Sequence, residues 1–174
     1  AILAMGMQDG DDTVVEFRDR RSGRILGNLR SASNELTHLS FHPTRRQLFV
    51  GGDKRLELWQ VNDLPGRDTE LPALQQRIWE RTVQQPVGQA EFSQQKDLLR
   101  WSEGQQLYEL DTQPPYSSRL LWTGEKTDQP LKHFAFSPNE QRIAVSHANQ
   151  TGIRLVDSQR QQVLPPLDYH LLPP

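Results

Sequence analysis

The chain has 174 residues, 34% hydrophobic and 24% charged, with a formal net charge of −2 and no cysteine. Lacking cysteine, it has neither a disulfide framework nor thiolate chemistry. No stretch reaches the run of about eighteen apolar residues that a membrane-spanning helix needs.

In chain order, residues 1–7 read as an apolar strand, Asp9-Gly10-Asp11 as a turn, and residues 13–19 as a second strand ending Val15-Glu16-Phe17-Arg18-Asp19. Arg20 and Arg21 follow in a connection. The next strand, Leu39-Ser40-Phe41-His42-Pro43, stops at a proline, which cannot donate to a sheet ladder and presets the turn after it. Residues 47–52 form a third type of strand, and Leu56-Glu57-Leu58-Trp59-Gln60 repeats the ending seen at Asp19. The same order returns twice: Ala90-Glu91-Phe92-Ser93-Gln94, residues 98–102 and Leu107-Tyr108-Glu109-Leu110-Asp111, then Phe134-Ala135-Phe136-Ser137-Pro138, residues 142–147 and Ile153-Arg154-Leu155-Val156-Asp157.

The four strand ends Asp19, Gln60, Asp111 and Asp157 stand 41, 51 and 46 residues apart. A fixed mark inside a unit of about forty residues is the signature of a repeat architecture. Each unit reads as four strands, a to d, joined by turns, and the long spacing places an insertion at residues 62–72, between strands c and d of the second unit. Insertions in surface loops cost little, so a tolerated excursion is the plain reading and a binding loop the sharper one.

Here a resemblance becomes specific. The run from Phe41-His42-Pro43 through Gly51-Gly52-Asp53 to Trp59 resembles one WD40 repeat, and the run from Phe136-Ser137-Pro138 to Asp157 is similar to a second. The resemblance implies an all-β fold, a β-propeller segment of about four blades of four-stranded antiparallel sheets. The first blade lacks strand a, which makes a piece of a seven- or eight-bladed ring the favoured reading over a closed four-bladed one. The expected divisions are 1–30 for the partial blade, 31–81, a divergent blade at 82–124, and 125–174 with a C-terminal tail. Only Trp59 stands where the family's Trp belongs, and the Gly-His pair before strand a is absent, so the Asp-His-Ser-Trp network of regular repeats has no residues to build it.

The five histidines make no metal-ligand spacing, and there is neither a Gly-x-Ser-x-Gly nucleophile turn nor a phosphate loop. No catalytic, cofactor or metal residues are therefore expected. The resemblance implies instead a non-enzymatic scaffold for protein or peptide partners, a sensor or regulatory module of a larger signalling protein. A fragment of a propeller enzyme, a quinoprotein or a peptidase-associated propeller, stays open as the alternative. The remaining blades are expected from the same protein or from a second copy. The absence of cysteine and of a targeting segment points to the cytoplasm.

Sorting charges by turn gives two faces. The turns between strands d and a and between b and c carry Asp9, Asp11, Asp12, Glu35, Asp53, Glu103, Glu125 and Asp128 against Lys54 and Lys126. The a–b and c–d turns carry the candidate partner-binding arginines Arg20, Arg21, Arg45, Arg46, Arg142 and Arg160, with Lys96, against Glu140 and the mixed charges of the insertion. Such a face steers acidic partners. Nucleic acid is disfavoured, because the net charge is negative and no aromatic residues interleave the arginines. Trp79 and Trp122 fall in strand d of their units and are expected in the core between blades.

Overall fold

The computed structural model describes residues 2–9, 12–33, 35–61, 75–125, 129–149 and 152–165. The described residues form fifteen strands and no helix. A first sheet holds β1 (Ile2–Asp9), β2 (Asp12–Asp19) and β3 (Ile25–Ser31). Three four-stranded sheets follow: β4 (Leu36–Phe41), β5 (Gln47–Gly52), β6 (Arg55–Val61), β7 (Gln75–Thr82); β8 (Val87–Phe92), β9 (Leu98–Glu103), β10 (Gln106–Asp111), β11 (Ser118–Thr123); and β12 (Leu131–Phe136), β13 (Arg142–His147), β14 (Arg154–Asp157), β15 (Gln162–Val163). Each sheet is an antiparallel meander of sequence neighbours.

The partial-propeller expectation holds, including the first sheet without strand a. The insertion at 62–72 falls between β6 and β7, and it lies outside the described residues together with Gly10, Asp11 and the tail from residue 166. Ile153, expected in a strand, precedes β14 and is exposed.

Strands b and c carry the packing. β5 is buried at all six positions, because Leu48 and Val50 face the first sheet while Phe49 faces the third. A short unbroken apolar run is what a strand covered on both faces requires. Three clusters fill the spaces between adjacent sheets: Val15, Phe17 and Leu29 with Leu48 and Val50; Phe49, Leu56 and Leu58 with Leu99, Trp101 and Leu110; and Leu107 and Trp122 with Phe134, Ile143, Val145 and Val156. Each such side chain contributes about 1.5–3 kcal/mol on burial. Trp122 and Trp79 face these clusters as expected, Trp79 at 5.8 Å from the fully buried Trp101 ring.

Glycine allows the sheets to approach. A Cβ on Gly52 would stand 2.3 Å from the Ser33 side chain, and one on Gly88 would stand 2.1 Å from the Leu131 carbonyl oxygen of the next sheet. Strands a meet in sequence along the array, β4 touching β8 and β8 touching β12, so their ends line the inner side.

Candidate functional site

The a–b turns are built by the residue after each strand-a phenylalanine. His42 Nδ1 accepts the N–H groups of Thr44 and Arg45 at 3.2 and 3.0 Å, and Ser93 Oγ accepts those of Gln95 and Lys96 at 3.2 and 3.1 Å. Ser137 Oγ accepts Arg142 N–H at 3.0 Å. His42 and Ser93 also reach forward to the next blade. With Nδ1 accepting, the neutral His42 ring carries its proton on Nε2, which lies 3.4 Å from Asp97 Oδ1. Ser93 Oγ donates to Glu140 Oε1 at 2.8 Å.

Basic residues of the same turns complete the ties. Arg45 grips Asp97 with two parallel bonds, Nε to Oδ1 at 2.8 Å and Nη2 to Oδ2 at 2.7 Å, and Lys96 pairs with Glu140. Burial lowers the His42 pKa, with the Asp97 charge opposing and Arg45 reinforcing. Hydrogen bonds from Arg45 above all hold Asp97 below the ordinary carboxylate range. At Glu140 burial would raise the pKa, but the bonds from Lys96 and Ser93 outweigh it. The turn charges are thus partly spent in joining blades, and Asp97, absent from the sequence-level face, is one of the joints.

The c–d turns explain the recurring strand ends. Asp19 Oδ1 accepts the N–H groups of Arg21 and Ser22 at 3.0 and 2.7 Å, Asp157 Oδ1 those of Gln159 and Arg160 at 2.9 and 2.8 Å, and Asp111 Oδ1 that of Gln113 at 2.9 Å. A short acidic side chain bonding backbone two residues ahead closes a turn. These turns and the start of β13 hold out Arg20, Arg21, Arg142 and Arg160, which make no side-chain ion pair with any described residue. Arg46 lies exposed in the β4–β5 turn, and its carbonyl accepts Val61 N–H at 2.8 Å. The structure therefore places all six candidate arginines at one end of the blades but commits Arg45 to Asp97.

Two polar centres escaped sequence reasoning. Glu57, fully buried in β6, accepts Ser31 Oγ at 2.9 Å, Ala32 N–H at 3.2 Å, Trp59 Nε1 at 3.1 Å and Arg77 Nη1 at 3.1 Å. It joins two blades and holds the Trp59 indole. The second centre is Arg100, 3% exposed, whose Nε donates to Glu109 at 3.0 Å while Nη2 lies 3.1 Å from Glu140 and the guanidinium sits 3.7 Å from the Phe136 ring centroid. The available signal was an acid set among apolar neighbours in strand c, at Glu16, Glu57 and Glu109.

Two grooves open beside Arg100. One, of about 310 Å³, lies where β4, β8 and β12 end and is lined by Ser40, Phe41, Glu91, Gln94, Phe136 and Ser137 among others. The larger, about 710 Å³, runs between the third and fourth sheets past Glu109, Arg119 and Leu120. Among the described residues no group of three His, Cys, Asp or Glu side chains is gathered to hold a metal, and no helix is long and apolar enough to cross a membrane.

No protein-family profile and no curated protein matches the chain. Among solved structures it is similar to the Cps50 (Swd1) β-propeller domain of Myceliophteria thermophila, with a TM-score of 0.66 and 17% identity over 87% of this chain. The chain spans about half, 51%, of that domain's length. The likeness agrees with the four-sheet meander of the described residues. The described residues fold as a partial β-propeller.

Proposed function

We propose that this chain is a non-enzymatic scaffold that binds a protein partner through the a–b and c–d end of its blades, as a regulatory module of a larger signalling protein. The observation that carries the reading is the division of labour among the turn charges. Arg45 and Lys96 are used to lock blade to blade, whereas Arg20, Arg21 and Arg160 in the c–d turns and Arg142 at the start of β13 are exposed and make no side-chain ion pair with a described residue, the side chains of Arg142 and Arg160 acting on Asp157 only through their field. Rigid turns on a packed scaffold suit recognition, and a one-sign surface favours acidic segments. The outward stripe Leu3, Met5 and Met7 of β1 is exposed and apolar, as suits a face covered by further blades of the same protein or by a second copy.

A library of random dodecapeptides selected on the full chain tests the reading. Acidic peptides should be enriched on the wild type and lost on the R20E/R21E/R142E/R160E variant. Enrichment that ignores charge, or that survives the reversal, overturns it.

A further inference from the structure

We propose that the groove at the ends of β4, β8 and β12 is a binding site for one basic side chain, lysine or arginine, of a partner polypeptide, with the Glu91 carboxylate as its counter-ion. The residue before the strand-a phenylalanine is Ser40 in β4, Glu91 in β8 and Ala135 in β12, so only the middle blade brings a charge to this position. Glu91 lines the groove, half-buried, and among the described residues its side chain accepts a hydrogen bond from Gln89 Nε2 to Oε2 at 3.1 Å.

The other charges of the groove are already matched. Arg100 is held by Glu109 and Glu140, and Glu140 in turn by Lys96 and Ser93. Glu91 stands opposite Arg100 in the β8–β9 ladder and feels its charge, but Arg100 makes its ion pairs with Glu109 and Glu140, so no described cation lies within ion-pair distance of the Glu91 carboxylate. Burial raises its pKa, against the Gln89 hydrogen bond and the field of Arg100, as expected of a carboxylate short of both water and a partner. Ser40 and Gln94 also line the groove, and their side-chain oxygens are acceptors of the kind that the additional N–H groups of an ammonium or guanidinium need. A space of about 310 Å³ is at the small end of ligand pockets and suits a side-chain head. A lone carboxylate lacks the several ligands that a metal ion takes.

This site stands on Glu91 and does not depend on the peripheral arginines, so the two readings fail separately. The test titrates the full chain with the acetylated, amidated peptides Gly-Gly-Arg-Gly-Gly and Gly-Gly-Lys-Gly-Gly, followed by amide NMR shifts, with the norleucine peptide as the uncharged control. Saturable shifts should appear at residues 40–41, 91–95 and 136–138 with at least one basic peptide, and the arm that binds more tightly identifies the head group. Glu91→Gln, which keeps shape and removes charge, should weaken binding about tenfold, the value of one charge-assisted contact. The R20E/R21E/R142E/R160E variant should bind the peptide as the wild type does. Equal shifts from norleucine, shifts mapping elsewhere, or unchanged affinity in a folded E91Q overturn the proposal. Because the norleucine comparison needs only the wild type, the outcome stands even where E91Q fails to fold.

Discussion

At the scale of single residues, a buried carboxylate with four donors is the most consequential feature. Glu57 takes a hydroxyl, a backbone N–H, an indole N–H and a guanidinium, drawn from β3, its following turn, β6 and β7. Removing such an acceptor strands several donors at once, and each buried group left unpaired costs about 1–3 kcal/mol. Arg77 is partly exposed and recovers water, so the sum is moderated. Glu57→Ala should therefore cost about 2–4 kcal/mol in reversible urea unfolding, and Glu57→Gln less, since one amide oxygen remains to accept. A loss below about 1 kcal/mol in the alanine variant would show that the donors find other partners. The departure from the WD40 pattern was legible in the sequence, because Trp59 stands alone. The Glu57 cluster was not, since Ser31 and Arg77 lie 26 and 20 positions away from Glu57 and only folding brings them to it.

His42 gives the residue scale a pH signature. Its ring packs edge-on to Phe92 at 4.9 Å between Asp97 and Arg45, and burial depresses its pKa below 6.5. The unfolded chain then binds the proton more readily than the folded one, so stability is complete above pH 6.5 and declines as pH falls toward the depressed value. Asp97, also depressed, continues the decline below its ordinary 3.8. Melting temperatures of His42→Gln should lose the part of the slope between pH 6.5 and the carboxylate range. A slope identical to wild type would assign that part to other groups.

At the scale of elements, turns and close approaches decide how strands become blades. The recurring aspartates were visible as marks, and their geometry shows why they recur: each closes the turn after strand c with its own side chain. Gln60 breaks the pattern where the longest connection begins. Alternation and the Phe-x-Pro stop made the strands easy to place, and β5 and β13 begin and end where the sequence predicts. The two-residue β15 was beyond reach, since so short an edge carries no periodicity. Nor could spacing show that Gly52 yields to Ser33 and Glu35 of the preceding connection. Gly52→Ala should cost about 1–3 kcal/mol, the usual penalty for forcing extra volume into a filled contact. A neutral result in thermal unfolding would mean that the connection before β4 shifts freely.

At the scale of the whole molecule, polar joints and apolar layers alternate. The layers between sheets supply most of the stabilisation, while Glu57, Glu103 and the Asp97 and Glu140 ties set how one blade sits on the next. Charge sorting by turn type groups the arginines by their place in the chain, but it could not tell which of them ties one blade to the next, as Arg45 does through Asp97, because that depends on the neighbouring blade. Leu3, Met5 and Met7 are 48%, 41% and 39% exposed on one side of β1. Sedimentation should accordingly find the 174-residue chain associating with itself, and L3S/M5T/M7T should reduce that association. A wild type that stays monomeric at high concentration would show that this stripe needs no cover.

The scaffold reading is tested most directly by the affinity of a selected acidic peptide measured across salt concentrations. The account predicts tight binding at low salt that weakens as salt rises, and a loss of more than about tenfold with a flattened salt slope in R20E/R21E/R142E/R160E. Affinity and salt slope unchanged by the four reversals would contradict it.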